Sequence, residues 1–355
     1  MIDPAYEYSP PASHPPGRGA WIALERRGVH HGYVRERCRT TTPAIPRRWH
    51  DAEAIVLRAV LPVGAARATI ARSVAHFRAF GRGAGLQPMV ARQLVRAPPL
   101  FRLAGVSQDV FDPREIEKVY VDAWRGGRCV ARGLYAKLSW VARETDDRSL
   151  RVRCSFGSEH LLDWRRDPVR ATWSDRYAEC LFPEARLITG NRRVTSLLTR
   201  LTRGRVRLSE RIIYANAPGG GAVFHHDAEP GQKGVIYGQM AGATAWLAIS
   251  KRSLAAVVAQ HAASRPLRRS AGTQAKALRA LAERTDWDPL HRLLNATPSF
   301  TRALVERGAC IVLHPGDVLL LPSHGPDDAT WHSVFGIGRR PSLAHSYGLF
   351  ARSSS

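Results

Sequence analysis

The chain has 355 residues, 44% hydrophobic and 23% charged, which excludes a wholly disordered polypeptide and allows one large or two ordinary domains. Its net charge is +23, from 53 Lys and Arg against 30 Asp and Glu, and no apolar run reaches the roughly 18 residues of a membrane-spanning helix. The cysteines at 38, 129, 154, 180 and 310 are odd in number and lack CxxC spacing, so neither a zinc ribbon nor a secreted disulfide framework is expected. They read as reduced structural thiols.

The basic residues are almost all Arg and are spread along the chain. That pattern fits compositional bias, an anionic partner, or both. The N-terminal residues lack a basic segment followed by an apolar one, so no secretory signal is expected. The expected location is cytoplasmic, with no membrane association.

Residues 1–50 are rich in Pro and Arg, and SPPASHPPGRG cannot continue a helix or a central strand. This part is expected to be an irregular lead-in. Residues 51–204 read as an α+β region. AEAIVLRAVL and ARATIARSVAHFRAF carry helical apolar spacing. LYAKLSWVAR and SLRVRCSF alternate, with ETDD between them, which predicts a hairpin. VTSLLTRLTRG then predicts a helix ending near Gly204. From 205 to 350 the texture is that of short strands: VRLSERIIYANA, AVFHHDAE, VIYGQMAGATAWLAIS, ACIVLHPGDVLLLPSH and SLAHSYGLFAR. A polar helical insertion over 251–308 interrupts them. The fold class is mainly β with flanking helices, a barrel or jelly roll.

His225, His226 and Asp227 are the most informative residues. Side chains alternate along a strand, so His225 and Asp227 share a face and His226 takes the other. Two His and one carboxylate make a facial triad with open positions, which suits non-haem Fe(II). His332, in TWHSV beyond the PGDVLLLP strand, is the natural third ligand.

The order HxD, GQMAGATAWL, PGDVLLLP, WHSV resembles the JmjC and cupin-like Fe(II)/2-oxoglutarate oxygenases over residues 205–350. The resemblance implies a double-stranded β-helix (jelly-roll or cupin) core flanked by an α+β N-terminal part. It implies Fe(II) held by His225, Asp227 and His332, with 2-oxoglutarate and O2 as cosubstrates, and hydroxylation as the usual outcome. The carboxylate at 227 argues against the halogenating variant. Two departures stand out. The loop before His332 also holds His324, a competing third ligand, with Asp327 and Asp328. The strand after HxD carries no Lys for 2-oxoglutarate, so Arg340 or Arg339 is expected to anchor the dicarboxylate. Tyr214, Asn216 and Gln239 are candidate polar helpers in cofactor binding, or else structural hydrogen-bonders.

Two other readings remain open. One is a metal-binding cupin enzyme that uses no 2-oxoglutarate. The other is a basic nucleic-acid-binding module on a degenerate barrel, against which the aromatics are not interleaved with the Args. The substrate of an oxygenase is open between an amino acid, a peptide or protein side chain and a natural-product intermediate. A carrier-protein-bound substrate would suit the positive charge, and nucleic acid is not favoured. Such barrels often pair into homodimers. The segment SAGTQAKALRALAER reads as an amphipathic insertion helix, a candidate lid or dimer element.

Overall fold

The computed structural model describes residues 2–41, 43–96, 100–108, 115–140, 151–159, 167–227, 229–263, 279–281 and 288–351. The N-terminal strands β1 (Ile2–Ser9), β2 (Ile22–Arg26) and β3 (Val29–Thr41) form an antiparallel sheet in the order β1-β3-β2. The expectation of an irregular lead-in therefore fails over most of residues 1–50. The SPPASHPPGRG run is a loop between β1 and β2. Pro4 is tolerated because β1 is an edge strand, where a missing donor costs no ladder bond.

The helices α1 (Ile45–His50), α2 (Arg67–Phe80) and α3 (Gln87–Arg96) follow, with the short strand β4 (Ile55–Leu57) between the first two. AEAIVLRAVL was expected to be helical. Instead Ile55, Val56 and Leu57 pair with a core strand and are largely buried. β-Branched side chains suit that half-sandwiched position better than a helix turn.

Next come β5 (Phe101–Ser107), β6 (Glu115–Arg125), β7 (Arg128–Trp140) and β8 (Arg151–Ser158), a meander of antiparallel neighbours. The expected hairpin is the β7–β8 pair, with Leu138 opposite Cys154. Its ETDD turn lies outside the described residues. Then α4 (Pro168–Leu181), α5 (Arg186–Thr189) and α6 (Arg192–Leu201) follow, α4 and α6 capped by the side chains of Asp167 and Asn191.

The remaining strands are β9 (Val206–Asn216), β10 (Gly221–His225), β11 (Gln232–Ala241), β12 (Ala243–Ser250), β13 (Cys310–Leu313), β14 (Val318–Pro322), β15 (Thr330–Ile337) and β16 (Ser342–Ala351). They make two facing sheets. One runs β14-β11-β16-β9, extended by β4 at one edge and by β8-β7-β6-β5 at the other. The second runs β10-β15-β12-β13. The chain passes from one sheet to the other at β9–β10, β10–β11, β11–β12, β13–β14, β14–β15 and β15–β16. That order is a double-stranded β-helix. β12 and β13 pair directly, Leu247 with Cys310, so the helical segment between them is an insertion. Its helices are α7 (Lys251–Ala263), α8 (Asp288–Ala296) and α9 (Pro298–Glu306). Most of SAGTQAKALRALAER lies outside the described residues.

Three apolar layers hold this together. Between the sheets lie Tyr237, Trp246, Leu319, Leu321 and Val334. Outside the larger sheet, Ile236, Leu320, Tyr347 and Leu349 pack on Phe77, Phe80, Tyr177 and Phe182 of the α2–α4 region. Outside the smaller sheet, Leu247 and Phe335 meet Val257, Phe300 and Leu304 from the insertion and Leu24 and Val34 from the N-terminal sheet. Each fully buried side chain of this size contributes roughly 1.5–3 kcal/mol. Because β14 is covered on both faces, VLLLP is apolar throughout and buried at every position, where a half-exposed strand would alternate. Among the described residues no helix is long and apolar enough to cross a membrane.

Candidate metal centre

His225 ends β10 and stands directly opposite His332 on β15. Simple alternation from the inward-facing Ala222 would turn position 224 inward and 225 outward. The β10–β15 register shifts between Ala222 and His225, and this irregularity re-aims the strand. Phe224 packs outside the barrel, and His225 turns in. Close approach of the two strands requires Gly221, where φ is +146° and a Cβ would collide with the Val334 carbonyl oxygen.

Nitrogen and carboxylate ligand atoms of His225, Asp227 and His332 lie within 4.8 Å of one another. His225 Nε2 is 3.9 Å from Asp227 Oδ1, and His332 Nε2 is 3.6 Å from Asp227 Oδ2. The Val223 carbonyl lies 2.8 Å from His225 Nδ1. With the proton on Nδ1 donated there, the Nε2 lone pair faces the carboxylate. His226 points the other way and lies against Trp331, ring centroids 4.8 Å apart. Trp331 is a packing residue outside the smaller sheet. Side-chain exposure is 39% for His225, 43% for Asp227 and 4% for His332, so the triad is reachable from one side and walled on the other.

Burial pushes the His332 imidazolium down to about 3, with further lowering by His225 that exceeds the opposing pull of Asp227. His332 is therefore neutral near pH 7, as a ligand must be. For Asp227, burial acts to raise its carboxyl, but His225, His332 and Arg151 together hold it below the usual range. It is ionised. Two imidazole nitrogens and a carboxylate on one side of a shared space fit a divalent iron. Among the described residues no other His/Cys/Asp/Glu group has this spacing.

The wall is a hydrogen-bonded relay. Trp246 lies against His332, with ring centroids 5.4 Å apart and the planes tilted by 35°. Its Nε1 donates to Thr244 Oγ1 (2.9 Å), and Thr244 donates to Gln239 Oε1 (2.8 Å). Gln239 Nε2 donates to the Ala241 carbonyl. Both ends of Gln239 are thus engaged, which fits the structural hydrogen-bonding alternative for this residue. Tyr237 meets Trp246 edge-on at 4.7 Å. Asn216, buried in the barrel, donates to Ser342 Oγ at 3.3 Å, leaving Oδ1 unpaired. Tyr214 also faces the interior.

The competing ligand His324 is elsewhere. Its Nε2 lies 2.7 Å from the Trp49 carbonyl, outside the triad. Arg339 and Arg340 also depart from expectation. They are exposed in the turn after β15, five strand positions and roughly 16 Å beyond His332 at about 3.3 Å per residue. A buried cation the sequence did not single out is Arg151, at the start of β8 and opposite Asn216. It is 6% exposed, and its guanidinium lies 4.6 Å above the Tyr214 ring. Sequence reading missed it. It sits in no motif, and it is one Arg in an Arg-rich chain.

No family model and no curated protein matches the chain. In solved structures, the chain is similar to the ribosomal oxygenase YcfD from Escherichia coli, at 12% identity and a TM-score of 0.30, covering 89% of this chain and 54% of that one. A second YcfD structure, in complex with cobalt and succinic acid, overlaps at 18% identity and a TM-score of 0.21, covering 46% of this chain and 29% of that one. The non-heme alpha-ketoglutarate-dependent epimerase SnoN from nogalamycin biosynthesis overlaps at 11% identity and a TM-score of 0.34, covering 86% and 81%. The match spans about half or less of the YcfD chains. The double-stranded β-helix rests on the strand order.

Proposed function

We propose that the chain is an Fe(II)- and 2-oxoglutarate-dependent oxygenase that hydroxylates an amino acid, a peptide or protein side chain, or a natural-product intermediate. The observation that carries this reading is the triad: three donors converge inside the barrel from β10, its following loop and β15. His225 Nε2, His332 Nε2 and one Asp227 oxygen would hold the metal. Bound iron with 2-oxoglutarate would supply O2 activation coupled to decarboxylation of the 2-oxo acid.

The chain's own residues set the conditions for that chemistry. The Val223 carbonyl accepts from His225 Nδ1 in the tautomer that turns the Nε2 lone pair toward Asp227. Asp227 offers a charged oxygen without deprotonation at neutral pH. Trp246, braced by Thr244 and Gln239, excludes water from the buried side of His332. The exposed edges of His225 and Asp227 leave the approach for a substrate. Arg151 puts positive charge on the inner face, which fits an anionic cosubstrate.

Anaerobic titration with Fe(II), then 2-oxoglutarate, tests the proposal. A weak visible charge-transfer band requiring both additions, and lost in His225→Ala and His332→Ala, supports it. Tight metal binding with no such band would leave a metal-dependent cupin of another kind. Absence of metal binding would overturn the reading.

A further inference from the structure

We infer that the groove between α1 and α6 docks an acidic, amphipathic segment of a partner protein, at the end of the barrel that carries the triad. That the docked partner is an oxygenase substrate rests on the reading above; the affinity of the groove does not.

The charge here is concentrated and uncompensated. Between Glu184 and Glu210 the chain carries seven arginines and no carboxylate. Compositional bias alone would leave acids among them. Arg186 pairs with Glu179. Arg192, Arg193, Arg200 and Arg203 are exposed and pair with no described carboxylate. Three of them stand where the local backbone disfavours them. Arg192 and Arg193 occupy the first turn of α6, where the helix dipole opposes a cation. Arg203 keeps a long side chain at φ +54°, a conformation that favours glycine. Neither placement helps the helix, and both add to one positive surface.

Beside it lies a groove of about 750 Å³ between α1, α6 and the start of β11. Arg200, Arg203 and Lys233 stand along it, and no described carboxylate lines it. Ile45, Leu197 and Leu201 give it half-buried apolar side chains that continue the core. An apolar strip bordered by cations calls for a ligand with both characters. An acidic polypeptide supplies carboxylates for the arginines and aliphatic side chains for the strip. Nucleic acid fits less well, because Trp49, the indole at the groove, is only 6% exposed and offers no ring for a base to stack on.

The strand order fixes where the groove lies. β10 ends at His225, β11 begins at Gln232, β14 ends at Pro322 and β15 begins at Thr330, two residues before His332. Val206, where α6 leads into β9, pairs with Ala351, and Ile55, just beyond α1, pairs with Leu320 of β14. Both helices therefore sit at this end, and His324 of the β14–β15 loop reaches the Trp49 carbonyl of α1. Arg339 and Arg340 turn at the opposite end. A partner held between α1 and α6 meets the barrel from the end where His225 and Asp227 lie, the two ligands left partly exposed.

Fluorescence anisotropy on the full chain tests this with labelled peptides of about 12 residues, long enough to follow the roughly 15 Å of α6. One repeats Glu-Glu-Leu-Leu, one repeats Lys-Lys-Leu-Leu and one is glutamate alone; an oligouridylate of similar length is the nucleic-acid probe. The Glu-Leu peptide is expected to bind at least about tenfold more tightly than each of the others, and to weaken at least about fivefold between about 50 and about 300 mM salt. Arg200→Glu combined with Arg203→Glu should weaken it by about 30-fold. Arg339→Glu combined with Arg340→Glu changes the net charge equally at the far end of the barrel and should stay within about twofold of wild type. Circular dichroism and thermal unfolding like those of wild type check that both double variants fold. Equal losses in the two double variants would reduce the effect to net charge and overturn the proposal. Failure of the Glu-Leu peptide to bind, or equal binding of the lysine or all-glutamate peptide, would overturn it too. Oligouridylate that binds as tightly, and is lost with Arg200 and Arg203, would assign the groove to nucleic acid instead. Peptide binding in a protein that shows no 2-oxoglutarate-dependent charge-transfer band would keep the dock and remove the oxygenase, and the band without peptide binding would do the reverse.

Discussion

Arg26→Met tests whether the N-terminal sheet supports the metal centre. Arg26 ends β2 and is 2% exposed. Its Nη1 donates to the Ala222 carbonyl (3.1 Å) and to Ser333 Oγ, and its Nη2 to the Asn295 carbonyl (3.0 Å) and Oδ1 (3.2 Å). Asn295 Oδ1 also accepts from the Phe224 amide at 2.7 Å, one residue before His225. Bonds from a charged donor contribute roughly 1.5–3 kcal/mol each. Against them stands the cost of burial, which with Arg27 and Arg151 pulls the guanidinium from 12.5 to about 9, a difference of roughly 5 kcal/mol. The net loss expected on substitution is about 3 kcal/mol, in the range for breaking a buried polar network. Urea denaturation of the metal-free protein measures it. Because Asn295 then loses its tether, β10 should loosen, and Fe(II) affinity should fall about five- to tenfold. A variant within about 1 kcal/mol of wild type, with unchanged Fe(II) affinity, would refute the idea that this network braces the site.

His31 is buried against Phe335, with Thr301 Oγ1 3.1 Å from its Nδ1. Burial, with the nearby Arg26 and His30, pushes its imidazolium down to about 3. Since this lies below the unfolded value of about 6.5, the stability it contributes is full above pH 6.5 and is lost as pH falls toward 3. Between pH 7 and 5 that is roughly 2 kcal/mol, so His31→Gln should flatten the stability profile there, and parallel profiles would count against the reasoning. Gly221→Ala should destabilise by more than about 2 kcal/mol and abolish Fe(II) binding, because its Cβ meets the Val334 carbonyl where β10 joins β15. Gly105→Ala, with open space around it, is the control expected within about 1 kcal/mol of wild type. Trp246→Leu removes the ring lying against His332 and should weaken Fe(II) binding several-fold, with a larger effect on stability of about 3 kcal/mol; equal Fe(II) affinity in both proteins would show the wall to be passive.

The legible parts of this sequence were those where one strand faces a fixed environment. VLLLP reads as a buried strand because both of its faces are covered. HxD is read as two ligands from strand alternation, and the pair does converge, although β10 ends at His225 and Asp227 lies in the loop that follows. The partner His332 could be reached from the TWHSV context, although its register opposite His225 depends on an irregularity in β10 that no local pattern announces. The N-terminal sheet was hidden for a compositional reason. Pro and Arg suggest irregular chain, yet Pro4 sits on an edge strand, and Arg26 is buried by contacts from β10, β15 and α8, far away in sequence. Arg151 shows the same limit at the site itself. Fifty-three basic residues look alike in one dimension, and the two that follow the distal His by seven and eight residues proved to be exposed turn cations. What separates Arg151 from the two turn arginines is its burial, a property of the assembled barrel. A charge left in that condition is informative because folding would otherwise select against it.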